Sequence, residues 1–454
     1  MQKLSNLLFF SLICISLSAQ NAFNIDLLGK WEDESIPTTA NNRVRYNEIW
    51  GYADESGEYA ILGSTTSVHF IDVTNPQQPS LVDEFAGGDT TIWRDMKTYE
   101  DRAYAIADNS SEGMMIFDLS DLPNSVSKTY HSNEFFKKAH NIFIDEPNGR
   151  LYLAGSDTML LGMLVFDIAT NKDQPILLST VFLEGGEYVH DVFVKDNIAY
   201  CSHGNNGFYI WDFADPENPK RIADALTFGY NHSSWITEDG NYALYAEELP
   251  SGVPLGIFDL QKMEEGEIKI INTFKFPQLT FKDDRNTPHN PFILGNYAYV
   301  SYYEDGLVVF DISNPEEVFI VGYYDTREND VYLGTRGCWG AYPFLPSGNL
   351  LASDTKGGLF VLRLGNAFEP AQAQNVNIYP NPVADRLSIE MVRSKATDVV
   401  LSLYETMGTL VFTKQFSFIG QYRYVWELGQ LPNGIYFLKI EEAGQTTLKK
   451  IIIQ

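Results

Sequence analysis

The sequence predicts an all-β protein, a seven-bladed β-propeller followed by a small immunoglobulin-like β-sandwich. Three observations predict it. First, one short phrase recurs: VHFIDV (68–73), MMIFDL (114–119), MLVFDI (163–168), FYIWDF (208–213), LGIFDL (255–260) and LVVFDI (307–312), with a degraded seventh copy, LFVLRL (359–364). Second, the spacing is regular. Asp72, Asp118, Asp167, Asp212, Asp259 and Asp311 lie 46, 49, 45, 47 and 52 residues apart, and 52 more reach Arg363. A period of roughly 40–50 residues built from short apolar strands corresponds to one propeller blade per repeat. Third, polar turns separate the apolar runs, and none of these runs keeps a helical period beyond one turn.

The elements follow in order. Residues 1–20 read as a secretory signal peptide: Lys3, the apolar stretch LLFFSLICISL, then Ser18 and Ala19. Ile13 precedes Cys14 where a lipoprotein signal needs a small residue, so a lipid anchor is not expected at this end. Residues 21–365 form the propeller. Each repeat holds two strands before the phrase, such as HNIFI and LYLAGS around DEPNGR, and a fourth after it, such as SLVDEF after TNPQQP. Each repeated aspartate ends a strand ahead of a turn, where its carboxylate caps that turn. The seventh repeat lacks a fourth strand, and LLGKWEDE (27–34) aligns with FIVGYYDT (319–326), the fourth strand of repeat six. The N-terminal segment is therefore expected to pair with the strand holding Phe360 and to close the ring, removing an open edge. Residues 366–375 read as a linker, and 376–454 as the sandwich.

Composition narrows the partners. The net charge is −28, and the tail from 376 onward carries 8 basic against 7 acidic residues, so the acid belongs to the propeller. Such a surface repels phosphates and argues against nucleic acid and anionic membranes. Beyond the leader no stretch is long and apolar enough to span a bilayer. Cys201 and Cys338 fall on opposite sides of the ring, so no disulfide is expected between them. The loop tips EELPSG (247–252) and FKDDRN (281–286) have no calcium-loop spacing, and no GxSxG, HExxH, P-loop or dinucleotide fingerprint occurs.

The tail blocks YPNPVADRLSI (379–389), LYETMGTLV (403–411), LPNGIYFLKI (431–440) and KKIIIQ (449–454) resemble the type A C-terminal sorting domain of the Bacteroidetes type IX secretion system. That resemblance implies an export address read by the type IX machinery, and a body attached to the cell surface or released. The six phrases and the closing CWGAYPFLPSGNLLASDTKGGLFVL (338–362) resemble the choice-of-anchor B proteins built from LVIVD repeats. This second resemblance implies a secreted propeller and no particular chemistry.

Alignment of the repeats by first strand gives the column Trp50, Arg94, His140, His190, His232, His289, Trp339, followed by Gly51, Asp95, Asn141, Asp191, Ser233, Asn290, Gly340. Four of the seven histidines share one position. First strands line the channel, so these residues are expected around one mouth. The second strands return there with Ser64, Asp108, Ser156, His203, Glu247, Tyr302 and Asp354, which would set Arg94 against Asp108, His190 against His203 and His232 against Glu247. The candidate face is therefore Arg94, Asp95, Asp108, His140, His190, Asp191, His203, His232, Glu247, His289 and Tyr302. Three uses stay open: strand-capping lattice residues, a funnel for an extracellular ligand, or a transition-metal site on His140, His190, His232 and His289. The functional expectation is a surface-attached or released binding module, with a secreted metal-dependent enzyme as the alternative.

Overall fold

The computed structural model describes residues 22–39, 43–184, 188–276, 286–327, 334–365, 376–384, 386–428, 431–442 and 444–454. The expected leader 1–20, the expected linker 366–375 and residues 281–285 of the loop tip 281–286 lie outside them. The described residues form seven antiparallel sheets in the propeller region and one in the tail. Each blade is an up-down meander. In the third, Asn141–Asp145, Arg150–Ala154, Gly162–Asp167 and Ile176–Phe182 pair in chain order. Each first strand touches the first strand of the next blade, and that of the seventh, Cys338–Tyr342, returns to that of the first, Tyr46–Asp54.

Apolar residues on both faces of the middle strands explain the stacking. Seven hydrophobic cores lie between consecutive blades. One joins Tyr59, Ile61 and Phe70 of the first to Met96 and Phe117 of the second. Another joins Ile49 and Leu62 of the first to Leu351 and Val361 of the seventh. Sheets buried on both faces read as continuous apolar runs, hence VVF and MMIF. Each fully buried Val, Ile or Phe contributes about 1.5–3 kcal/mol relative to exposure.

The phrase-ending aspartates hold the next turn. Their Oδ1 atoms accept the backbone N–H of Thr74 (2.8 Å), Ser120 (2.9 Å), Thr170 (3.0 Å), Ala214 (2.7 Å), Gln261 (2.9 Å) and Ser313 (2.9 Å).

The ring closes with the N-terminal segment. Ile25–Trp31 is the outer strand of blade seven, with Lys30 opposite Phe360. Just before it, Ala22–Phe23 adds a fifth strand to blade six, opposite Tyr324 and Tyr323. Asn24, with φ of 51°, turns between them, its side-chain amide donating to the Val321 carbonyl at 2.8 Å. The register differs by one residue from the sequence alignment. In every blade the pairing of third and fourth strands shifts once, leaving a single fourth-strand residue unpaired: Val82, Thr129, Leu178, Ile222, Ile271, Val321 and Leu28. Matching the bulges places Leu28 on Val321 and Gly29 on Gly322, where the alignment by letters placed Gly29 on Val321. The shared bulge makes the borrowed strand a true fourth strand, and bulges at an outer edge add twist and discourage further pairing.

The tail is one five-stranded sheet rather than two separate ones. A long hairpin, Arg386–Glu405 and Leu410–Glu427, runs through it, flanked by Val376–Tyr379, Gly434–Glu442 and Gln445–Ile453. Leu387, Ile389 and Met391 from one half of the first long strand share a core with Val399, Leu401 and Leu403 from the other, so the sheet folds over on itself. Cys201 and Cys338 are buried free thiols. No helix among the described residues is long and apolar enough to cross a membrane.

Candidate ligand-binding mouth of the propeller channel

The first strand of a blade carries one residue within two places of its start and inward-facing residues one and three positions later. In blades three to seven these are His140, Asn141 and Phe143, then His190, Asp191 and Phe193, then His232, Ser233 and Trp235, then His289, Asn290 and Phe292, and finally Trp339, Gly340 and Tyr342. The positions build three layers. The outermost lines a cavity of about 410 Å³ that holds all four histidines with Trp93, Tyr188, Glu248, Tyr303 and Trp339. The second layer is polar, and the third is aromatic and opens at the opposite mouth.

The four imidazoles form a continuous arc. Ring centroids lie 4.3 Å apart from His140 to His190, 4.2 Å from His190 to His232 and 4.4 Å from His232 to His289. Each Nδ1 is engaged. That of His140 meets Asp108 Oδ2 of the preceding blade at 3.0 Å. Those of His190 and His289 donate to the carbonyls of His232 (2.9 Å) and Trp339 (2.5 Å) in the following blades. That of His232 meets Ser233 Oγ at 3.2 Å, and this hydroxyl in turn donates to the His289 carbonyl at 2.6 Å. The rings therefore act as seam residues through one nitrogen and leave Nε2 to the cavity. Burial drives His289 down to about 3. Burial and then neighbouring imidazoles hold His190 and His232 well below the ordinary range, so all three are neutral at pH 7. Burial works to raise Asp108, but its bond to His140 and the charge there win, and its carboxyl stays below the usual range.

The polar layer is a network across blades. Asn141 Nδ2 donates to Asp95 Oδ2 (3.1 Å) and Asp191 Oδ2 (2.7 Å), and its Oδ1 accepts Val192 N–H (3.1 Å). Lys97 Nζ binds Asp95 Oδ1 at 2.6 Å. Asn290 Nδ2 donates to Glu48 Oε2 at 2.7 Å. One lysine serves three carboxyl groups. Burial and the Asp95 charge push both Glu48 and Asp191 up to about 8, so these two are neutral acids at pH 7.

Of the expected face, Arg94, Asp95, Asp108, His140, His190, Asp191, His232 and His289 line this cavity. His203, Glu247 and Tyr302 do not; they lie buried between strands. His203 packs on Tyr209 with centroids 4.6 Å apart, and Tyr302 belongs to the core between blades five and six. Glu248 and Tyr303 line the cavity in place of their neighbours, just beyond the ends of the second strands Tyr242–Glu247 and Tyr297–Ser301. The expected pairs also change. Arg94 binds Glu112 and the Ser64 carbonyl, not Asp108. His190 meets His232, not His203, and His232 Nε2 faces Glu248 Oε2 at 3.9 Å, not Glu247. In blade one the column is displaced by three: Glu48 sits in the polar layer, while Trp50 sits in the aromatic one with Lys97 Nζ 4.4 Å above its ring. A one-residue register shift between Tyr46 and Ile49 accounts for one of these three places. An acid two residues before the aligned Trp50 was the available signal for Glu48.

Comparison with known proteins fits this architecture. Residues 377–454 match the secretion system C-terminal sorting domain, and residues 186–227 and 292–326 match the LVIVD repeat. No curated protein sequence matches the chain significantly. Among solved structures, Raptor of Chaetomium thermophilum is 12% identical, with 72% of this chain and 29% of that one covered and a TM-score of 0.53. PorZ, a surface component of the type-IX secretion system of Porphyromonas gingivalis, is 13% identical, covering 92% and 61%, at 0.47. The computationally designed Ika8 protein is 8% identical, covering 73% and 99%, at 0.47. The chain is thus an all-β propeller protein with LVIVD repeats and a type IX sorting tail. Its tail directs it to the cell surface or the extracellular space, and implies contact with the secretion machinery.

Proposed function

We propose that this protein is a binding module, displayed at the surface or released, that holds a small neutral polar ligand in the histidine mouth. On this reading residues 1–20 are the leader, 21–365 the ring, 366–375 the linker and 376–454 the address, as in choice-of-anchor B proteins. The supporting observation is the cavity itself: four imidazoles tied down through Nδ1 beside Trp93, Tyr188, Tyr303 and Trp339. Fixed hydrogen-bonding groups next to aromatic faces suit a polyhydroxylated ring such as a saccharide. The carboxylates of a chain with net charge −28 disfavour anionic ligands.

Titration of the full chain with neutral mono- and oligosaccharides tests this. Binding that disappears in Trp339→Ala, with the fold intact, is expected. Absence of any saturable binding, or binding unchanged in that variant, would overturn it. For export, removal of 376–454 should leave a folded propeller inside the outer membrane; normal protease shaving of the truncated protein from intact cells would contradict the address. A metal-dependent enzyme is the second reading, favoured by the grouping of His232, Glu248 and His289.

A further inference from the structure

Among the described residues, one trio of potential metal ligands comes together, and it is not the four-histidine set. His232, Glu248 and His289 each offer a donor atom, all within 4.8 Å of one another. His232 Nε2 and Glu248 Oε2 are 3.9 Å apart. Bonds of about 2.1 Å at tetrahedral angles would hold donors about 3.4 Å apart, so this pair is within half an ångström of the bonded spacing.

Each donor also has an orienting partner of the kind that metal ligands carry. His289 Nδ1 donates to the Trp339 carbonyl, which fixes Nε2 as the donor atom. Ser233 Oγ is spent on the His289 carbonyl, so it accepts from His232 Nδ1–H and fixes the same tautomer there. Tyr303 OH donates to Glu248 Oε1 at 2.8 Å, leaving Oε2 on the histidine side. His140 also has an orienting partner, Asp108, but it lies outside the trio.

We propose that His232 Nε2, His289 Nε2 and the Glu248 carboxylate hold one divalent transition metal, with zinc the reference ion, on the wall of the histidine mouth. This rests on the mouth being the binding site, and it narrows that reading. Two imidazoles and a carboxylate are a donor set of the sites that keep an open position for water or ligand, and the open side here is the cavity. A polyol hydroxyl or carbonyl oxygen of the bound ligand would take that position. Tyr303 and Ser233 are positioning residues.

The test uses the full chain without a histidine tag, stripped by chelator and titrated with Zn²⁺ by calorimetry, with bound metal counted by mass spectrometry. One Zn²⁺ per chain is expected. Glu248→Gln and His289→Ala should each weaken binding at least tenfold, and Tyr303→Phe about tenfold, in the range found for orienting partners. Co²⁺ loading of the unsubstituted chain should give the visible spectrum of a low-coordinate nitrogen–oxygen site, which does not depend on any variant folding. No saturable Zn²⁺ uptake, or uptake kept in Glu248→Gln and lost in His140→Ala, would overturn the trio. Saccharide binding measured with and without chelator separates the two readings. Metal uptake without any saccharide binding leaves the metal site and removes the neutral-ligand reading; saccharide binding with no metal uptake does the reverse.

Discussion

The two mouths of one channel are built from the same seven strands, yet they differ in almost every property. At one mouth stand four imidazoles and several carboxylates around a cavity. Three positions further along the strands stand Phe143, Phe193, Trp235, Phe292 and Tyr342, with Trp50 and Phe344. Here ring touches ring: Phe143 to Phe193 at 4.9 Å, Phe193 to Trp235 at 4.7 Å, and Trp235 to Phe292 at 5.1 Å and to Phe344 at 5.5 Å. The aromatic end lines a cavity of about 360 Å³ with packed rings, while the histidine end lines one of about 410 Å³ with imidazoles bonded to the seams. Cohesion and reactivity are thus segregated by a shift of three residues within one strand.

The largest effect on this contrast should come from the closure. Deleting residues 22–31 opens the seam between blades six, seven and one and removes both mouths together. A loss on the order of 5 kcal/mol or more is expected, from the buried area of Ile25, Leu27 and Trp31 and the edge exposed. Unchanged denaturant midpoints would break the argument. Next comes Trp235→Ala, which strikes the aromatic end alone. A loss of about 3 kcal/mol is expected, with Zn²⁺ or saccharide binding at the far mouth kept. If binding fails while the fold survives, the two ends are coupled and the segregation is wrong.

The pH dependence sharpens the contrast further. His190, His232 and His289 are held neutral in the folded state, so acidification below about 6.5 protonates only the unfolded chain and stability falls with falling pH. Glu48 and Asp191, raised to about 8, stay protonated when folded while the unfolded groups ionise from about 4 upward, so they remove stability as pH rises towards 8. Opposing slopes place the maximum near pH 6.5, which urea titrations across pH 4–9 would locate. A smaller effect belongs to Asp191→Asn, which keeps a partner for Asn141 but removes one titrating group. The alkaline slope should be shallower by one proton, and an unchanged slope would remove Asp191 from the account.

The repeat, the capping aspartates and the borrowed strand were legible in the chain because spacing and turn chemistry record them directly. The histidine arc was legible for the same reason, since one position recurs in four blades. What failed was register. A bulge residue has no partner, so letters alone set Gly29 one place out and add one of the three places by which Trp50 is displaced. Glu247 and Tyr302 stood in for Glu248 and Tyr303 because the second strands end at Glu247 and Ser301, and the turn that follows sets which side chain faces the cavity. Arg94's union with Glu112 was invisible, since their loop geometry has no sequence signature.

The Asn24–Val321 bond, between residues 297 positions apart, has a consequence in time. The strand that completes the ring is among the first parts of the body to be synthesised, and its partners are among the last. Six blades can stack locally, but the final seam waits on a loop closure over nearly the whole domain, which is slow for high-contact-order topologies. Placing residues 22–36 directly after Gly365 in a circular permutant would make that contact local while the seam between blades one and seven stays distant, and stopped-flow refolding of the permutant should be faster than that of the natural order.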